Sequence, residues 1–368
     1  MEKKRTKMLA ALIACCFGFA ALLAGCGGQG GGNAAPASDG SSSAAGSAPA
    51  PAGSGQVLEL KFAHVMSANH IQHTEVMQPF ADEVEQLTEG RVIVTIYPGS
   101  ALGKAEDQFN AAATGIADLA YGVQGYTPGK FPLTSVMTLP FQASSAMNAT
   151  NTLWNLYQNI PEIQAEYDGT EVLYLWTNEP SQILTSKKQV KTLEDLKGLK
   201  LRSPDTALNS VIEAWGATPV NMPLPDVFDA MQKGVVDGAL VDLTALNDFN
   251  LADVTKYVAV VNVSTTPFYV VANPTSWNKI EAADKEKINA ILGKNMADKA
   301  ASAWGISMKE GLSKAEANGI EIYNVPDSEL ARWAAEVDSL IQAWINDNEA
   351  KGLPAQKVYD EVQKLKNQ

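Results

Sequence analysis

The sequence predicts an α/β fold in two lobes, with two mixed, mostly parallel sheets flanked by helices, cross-lobe strands and a long bracing helix. Three observations predict it. Stretches with period-two apolar spacing alternate with stretches of helical spacing. Strand–helix–strand units recur, and such units place their strands in parallel. One apolar run, "KYVAVVNVSTTPFYVVAN", is too long for an ordinary strand and reads as passing from one lobe to the other.

The elements follow in order. Leu58, Leu60 and Phe62 alternate on one face of a first strand. Val76, Phe80, Val84 and Leu87 then mark a helix, and Gly90 supplies its stop. "RVIVTIYP" is a strand, 104–114 a helix stopped at Gly115, and "ADLAYGV" a short strand. A helix over 146–158 carries Leu153, Trp154 and Tyr157, and "EVLYLWT" follows as a strand of branched and aromatic residues. Thr192 and Asp195 form the pattern of a capping box, opening a short turn that ends at Gly198. Asp205 caps a helix with Leu208, Val211, Ile212 and Trp215 on its apolar side, and a further helix spans 226–233. Residues 282–317 are almost unbroken helix formers, with Ile288, Ile291, Met296 and Ala303 at amphipathic spacing; a break is expected near Gly305 or Gly311. A strand "IEIYNV" and a helix over 327–348 complete the pattern. Open parallel sheets bind ligands beyond the carboxyl ends of their strands, which in two lobes face each other across a cleft.

The 368 residues suffice for two domains, and 46% hydrophobic against 19% charged residues describes a globular chain. A formal net charge of -13 repels phosphate backbones and argues against nucleic acid as a partner, while a local pocket charge can still receive a small anion. The N-terminus has its own pattern. Lys3, Lys4, Arg5 and Lys7 precede an apolar run over 8–24, too short for a membrane span, ending in Leu23-Ala24-Gly25-Cys26. This resembles the lipobox of bacterial lipoproteins, with 1–25 as signal peptide and Cys26 as the lipidated first residue. Cys15 and Cys16 fall in the removed segment, which leaves no thiol for a disulfide, a metal or a nucleophile. Residues 26–56 are nearly all Gly, Ala, Ser and Pro and read as a flexible tether.

Other chemistry is poorly supported. His70 and His73 are three apart near a helix start, but zinc needs further ligands and no HExxH is present, so no metal is expected. Gly99 to Ala105 imitates a phosphate loop but has one residue too few between its glycines, and Ala105 where Ser or Thr belongs. No nucleophile elbow appears.

The ordered motifs "FAHV" with His70 shortly after, "LTEGRVIVTIYPGSALG", "GIADLAYG", "FPLTSVMTLPF", "TLEDLKGLKLRSPD", "WGATPVNMPLPDVFDAMQKGVVDGA" and "NPTSWNKI" resemble the DctP family of substrate-binding proteins from tripartite ATP-independent periplasmic (TRAP) transporters. The resemblance runs from about Leu58 to near the C-terminus. It implies a bilobal periplasmic-binding-protein-like fold that closes on one small organic acid, here with lobe 1 at 57–178 plus 267–306 and lobe 2 at 179–266 plus 307–368. It also implies TRAP membrane permease subunits as partners, membrane attachment through the lipid on Cys26, no cofactor, no catalysis and a monomer, outside the cytoplasm at the cell surface or in the periplasm. The family's anchor is the Arg ending "DLKGLKLR", here Arg202, whose planar guanidinium matches a carboxylate with two donors. Where many members carry a second Arg or a Gln, this chain has Gln182, which adds no charge and argues for a monocarboxylate or keto acid. Where members follow "VDG" with Gln-Glu or Glu-Trp, this chain has Ala239, Leu240, Val241 and Asp242, which weakens any metal site and favours an apolar ligand body. Further candidate ligand residues are Trp176, Asn178, Tyr121, Asn221, His64 and Phe268. The readings from other classes are a lipid-anchored extracytoplasmic enzyme and a sensor on the same scaffold.

Overall fold

The computed structural model describes residues 57–366. The signal segment, Cys26 and the tether lie outside the described residues. Two sheets organise the rest. The first has strand order β2-β1-β3-β10-β4, with β1 Leu58–Ala63, β2 Val92–Tyr97, β3 Leu119–Val123, β4 Glu171–Thr177 and β10 Pro267–Ala272. The second has order β11-β9-β5-β8-β6-β7, with β5 Gln182–Thr185, β6 Lys200–Ser203, β7 Thr218–Asn221, β8 Gly238–Val241, β9 Tyr257–Val260 and β11 Glu321–Asn324. Parallel pairs β1–β2, β1–β3, β6–β7, β6–β8 and β9–β11 coexist with antiparallel pairing at β10 and β5, so both sheets are mixed.

Helices cover both faces of each sheet, which is why the central strands are apolar on both sides rather than alternating. Every residue of β3, β8 and β10 is buried. Leu60, Phe62, Phe80 and Trp304 belong to the core on one face of the first sheet, and Phe109, Leu153, Leu175 and Tyr269 to the core on the other. The second sheet separates a core around Ile183, Leu201, Trp215 and Trp333 from one around Leu184, Met231, Val241 and Leu246.

Local signals explain several boundaries. Asp205 accepts from the Leu208 backbone N–H at 2.9 Å as the cap of helix Thr206–Ala214, and the capping box of Thr192 and Asp195 forms at helix Leu193–Leu196. The long apolar run is two strands: β9 sits in the second sheet, β10 in the first, and 261–266 joins them. Beside it, 178–181 makes the first crossing, from β4 to β5. The two crossings are hydrogen-bonded to each other, Ser181 N to Ser264 O at 2.7 Å and Val263 N to Ser181 O at 3.0 Å.

Two expectations need correction. The break in 282–317 falls at Gly293, in the left-handed region at φ 64°, between helices Ala282–Ile291 and Lys294–Ala317; the second runs unbroken through Gly305 and Gly311. A last helix, Ala355–Leu365, packs Val358 and Val362 into the first sheet's core, where the expected division places 307–368 in lobe 2. Among the described residues no helix is long and apolar enough to cross a membrane.

Candidate functional site

Four strands of the two sheets end around one small cavity. Arg202 comes from β6, Asp242 directly follows β8, Asn178 directly follows β4, and Tyr126 ends the turn Gln124–Tyr126 after β3. Phe268 on β10 and Trp304 on the helix Lys294–Ala317 close the wall. The cavity measures about 30 Å³, room for one or two waters and too small for an organic molecule.

Arg202 is buried, 3% exposed. Its Nε donates to Met222 O at 3.0 Å, Nη1 to Leu240 O at 3.2 Å and Nη2 to the Tyr126 hydroxyl at 3.2 Å. All these acceptors are neutral. Among the described residues no carboxylate lies within ion-pair distance of it. Burial pushes its pKa down from the ordinary guanidinium value, against the raising influence of Tyr126, Asp205 and Asp242, yet a guanidinium remains charged at any physiological pH. A buried cation with no carboxylate at ion-pair distance is costly, and a carboxylate brought to it offsets that cost.

Tyr126 joins the two sheets across the cavity. Its hydroxyl oxygen accepts from Arg202 and from Leu224 N at 2.9 Å, which uses both lone pairs and leaves its own proton to donate. Asn178 joins them as well. Its Oδ1 accepts from Thr266 N at 2.6 Å and its Nδ2 donates to Asp242 Oδ2 at 2.6 Å.

Of the residues expected from sequence, Arg202, Asn178 and Phe268 line this cavity. Five do not. Gln182 spends its whole amide on the crossing: Nε2 donates to Asn262 Oδ1 at 2.6 Å and Pro180 O at 2.9 Å, and Oε1 accepts from Val261 N at 2.7 Å and Asn262 N at 3.0 Å. Asn221 is exposed at the end of β7 and its amide donates to Ser203 O. Trp176 stacks behind Phe268, ring centroids 5.4 Å apart and 18° between planes, and Tyr121 packs on both rings. They support the wall without forming it. His64 is buried against His73, Nε2 to Nδ1 at 2.8 Å. Among the described residues no group of three or more His, Cys, Asp or Glu is placed to hold a metal.

Sequence reasoning missed Tyr126, Trp304 and the role of Asp242. For Asp242 a signal existed: a lone acid at the end of the apolar run "GALV". Trp304 has the spacing of a core residue, and nothing local marks it otherwise.

The three histidines cluster behind this wall. His70 lies 3.7 Å from Asp248 across the molecule and packs on Phe249 and Trp304. Desolvation holds the pKa of His70 down to about 3, while burial lifts Asp248 to about 6. Unfolded, His70 protonates near 6.5; folded, it does so only near 3, so acidification through that window removes stability, about 2 kcal/mol at pH 5. Asp248, with its folded pKa raised, acts in the opposite sense. His70→Gln is therefore expected to flatten the loss of melting temperature between pH 6.5 and 4; an unchanged slope would show that His70 is not the group responsible.

Comparison with known proteins places this arrangement. The profile of bacterial extracellular solute-binding protein, family 7 (DctP), matches residues 62–347. The outer membrane transporter protein TsaT of Comamonas testosteroni is 25% identical over 295 residues, 77% of this chain and 85% of TsaT. Two crystal structures superpose with TM-scores of 0.81. One is a TRAP solute-binding protein of Rhodoferax ferrireducens T118 in complex with copurified benzoate, 26% identical, covering 84% of this chain and 98% of that one. The other is a marine metagenome TRAP solute-binding protein specific for aromatic acid ligands, in complex with metahydroxyphenylacetate, 27% identical, with the same coverage.

Proposed function

The chain belongs to the family 7 (DctP) bacterial extracellular solute-binding proteins, and we propose that it captures a small monocarboxylate with an apolar, aromatic body between its two lobes. The carrying observation is Arg202: a buried guanidinium in an inter-lobe cavity, with neutral acceptors around it and no carboxylate at ion-pair distance among the described residues. The walls support an apolar ligand body, since Phe268, Trp304, Leu224 and Val241 line the same cavity. The benzoate and metahydroxyphenylacetate held by the two similar structures agree with that chemistry.

The lobes part to admit the acid and close over it through the paired crossings at 178–181 and 261–266. Binding orders the lobes and breaks no bond. The loaded protein then hands its ligand to TRAP permease subunits. Lipidation of Cys26, read from Leu23-Ala24-Gly25-Cys26 behind a basic head, holds it at the outer face of a membrane.

The test is to purify the protein from its host, release the bound acid and identify it by mass spectrometry, then titrate a panel of aromatic and aliphatic carboxylates by calorimetry. One monocarboxylate per chain, recovered unchanged, is expected. Conversion of the acid on the protein, or failure of every carboxylate to bind, would overturn the reading.

A further inference from the structure

Besides the arginine, two polar side chains line the cavity with opposite requirements: Asp242, an acceptor with spare capacity, and Trp304, a donor without a partner among the described residues. Asp242 is 2% exposed and lines the cavity. Its Oδ1 accepts from the Thr244 backbone N–H at 3.0 Å and from the Thr244 hydroxyl. Its Oδ2 accepts from Asn178 Nδ2 alone. The orientation of that amide is fixed, because Asn178 Oδ1 already accepts from Thr266 N. Both carboxylate oxygens therefore face donors, and Oδ2 retains one lone pair for a further donor. Trp304 is also 2% exposed and lines the same cavity, and its Nε1–H, a donor only, has no acceptor among the described residues. A buried donor left unmatched is costly, on the order of 1–3 kcal/mol.

Building on the carboxylate reading of Arg202, we propose that Asp242 and Trp304 select a monocarboxylate that also bears a hydroxyl group. A hydroxyl donates to Asp242 Oδ2 and accepts from Trp304 Nε1, so one substituent satisfies both. An ammonium serves Asp242 but gives Trp304 nothing. A second carboxylate serves Trp304 but sets like charges against each other at Asp242. A bare hydrocarbon serves neither. Hydrogen-bonding sites of this kind discriminate strongly, because the wrong ligand leaves buried polar groups unpaired.

Calorimetric titration of the parent with benzoate, its three monohydroxy isomers, mandelate, 3-(aminomethyl)benzoate and isophthalate tests this. The best hydroxylated acid is expected to bind at least tenfold tighter than benzoate, and the ammonium and dicarboxylate analogues no tighter than benzoate. In Asp242→Asn and in Trp304→Phe the ratio of affinities, hydroxylated acid over benzoate, is expected to fall toward one. Equal affinities across the parent's panel, or an ammonium or dicarboxylate acid binding tightest, would overturn the selectivity while leaving Arg202 as carboxylate anchor. Loss of the whole panel, benzoate included, would remove the aromatic monocarboxylate reading and this proposal with it. Should either variant fail to fold, the parent's panel and the other variant still decide.

Discussion

Arg202→Met is expected to abolish ligand capture and to leave the protein folded. A ligand carboxylate held by two guanidinium donors gains about 1.5–3 kcal/mol from each charge-assisted hydrogen bond, so losing both weakens binding about 10²- to 10⁴-fold. The unliganded protein should tolerate the change. The guanidinium is a buried cation with only neutral acceptors, two backbone carbonyls and a phenol. Removing a buried charge that has no ion-pair partner relieves its desolvation cost, which offsets the three acceptors left behind. The two effects separate in a melting experiment. The ligand-free variant is expected to melt near the parent temperature, and the upward shift that saturating ligand gives the parent should vanish. Arg202→Lys should fall between, because a single ammonium keeps the charge but cannot hold three fixed acceptors and a carboxylate together. A Met variant binding within tenfold of the parent would remove Arg202 from the site.

How far this site could be read in advance depends on the range of the interactions that make it. Arg202 was legible because a strand, a turn and a helix cap surround it within a few residues and match a family motif. The capping box at Thr192 and Asp195 and the cap at Asp205 are likewise local. Gln182 reads as a ligand residue because the resembled family carries a second Arg or a Gln at that position. Its partners, Val261 and Asn262, are some eighty residues away and belong to the return crossing, which no local pattern reveals. Tyr126 illustrates the converse. Its hydroxyl gains meaning only when β6 and the segment at Leu224 arrive from the other sheet. The last helix is not among the sequence expectations, and its buried face rests on little more than Ala355, Val358 and Val362. Elements governed by spacing and caps were visible; contacts between lobes, where the ligand chemistry lies, were not.

Gly305 and Gly311, both inside the long helix Lys294–Ala317, should respond to alanine with opposite signs. In a helix interior Gly→Ala ordinarily stabilises by up to about 1 kcal/mol, because glycine loses more backbone freedom on folding. Gly305 is a site of that kind: a Cβ there meets nothing nearer than Glu179 Oε1 at 4.0 Å. Gly305→Ala is expected to raise the melting temperature by a degree or more. At Gly311 a Cβ would stand 2.1 Å from the Leu243 carbonyl oxygen and 2.9 Å from its carbon. Those are backbone atoms, so no side-chain rotation relieves the clash, and overpacking of this kind costs about 1–3 kcal/mol or more. Gly311→Ala should therefore lower the melting temperature by several degrees despite its better helix propensity. The damage should also reach the ligand. Leu243 stands between Asp242, which lines the cavity, and Thr244, whose backbone N–H and hydroxyl hold the Asp242 carboxylate. Displacing Leu243 moves both, so weaker ligand binding is expected alongside the lower melting temperature. If Gly311→Ala instead stabilised the protein as much as Gly305→Ala, the close approach of the long helix to the loop after β8 would not exist in solution. With it would go the route by which that helix braces the binding site.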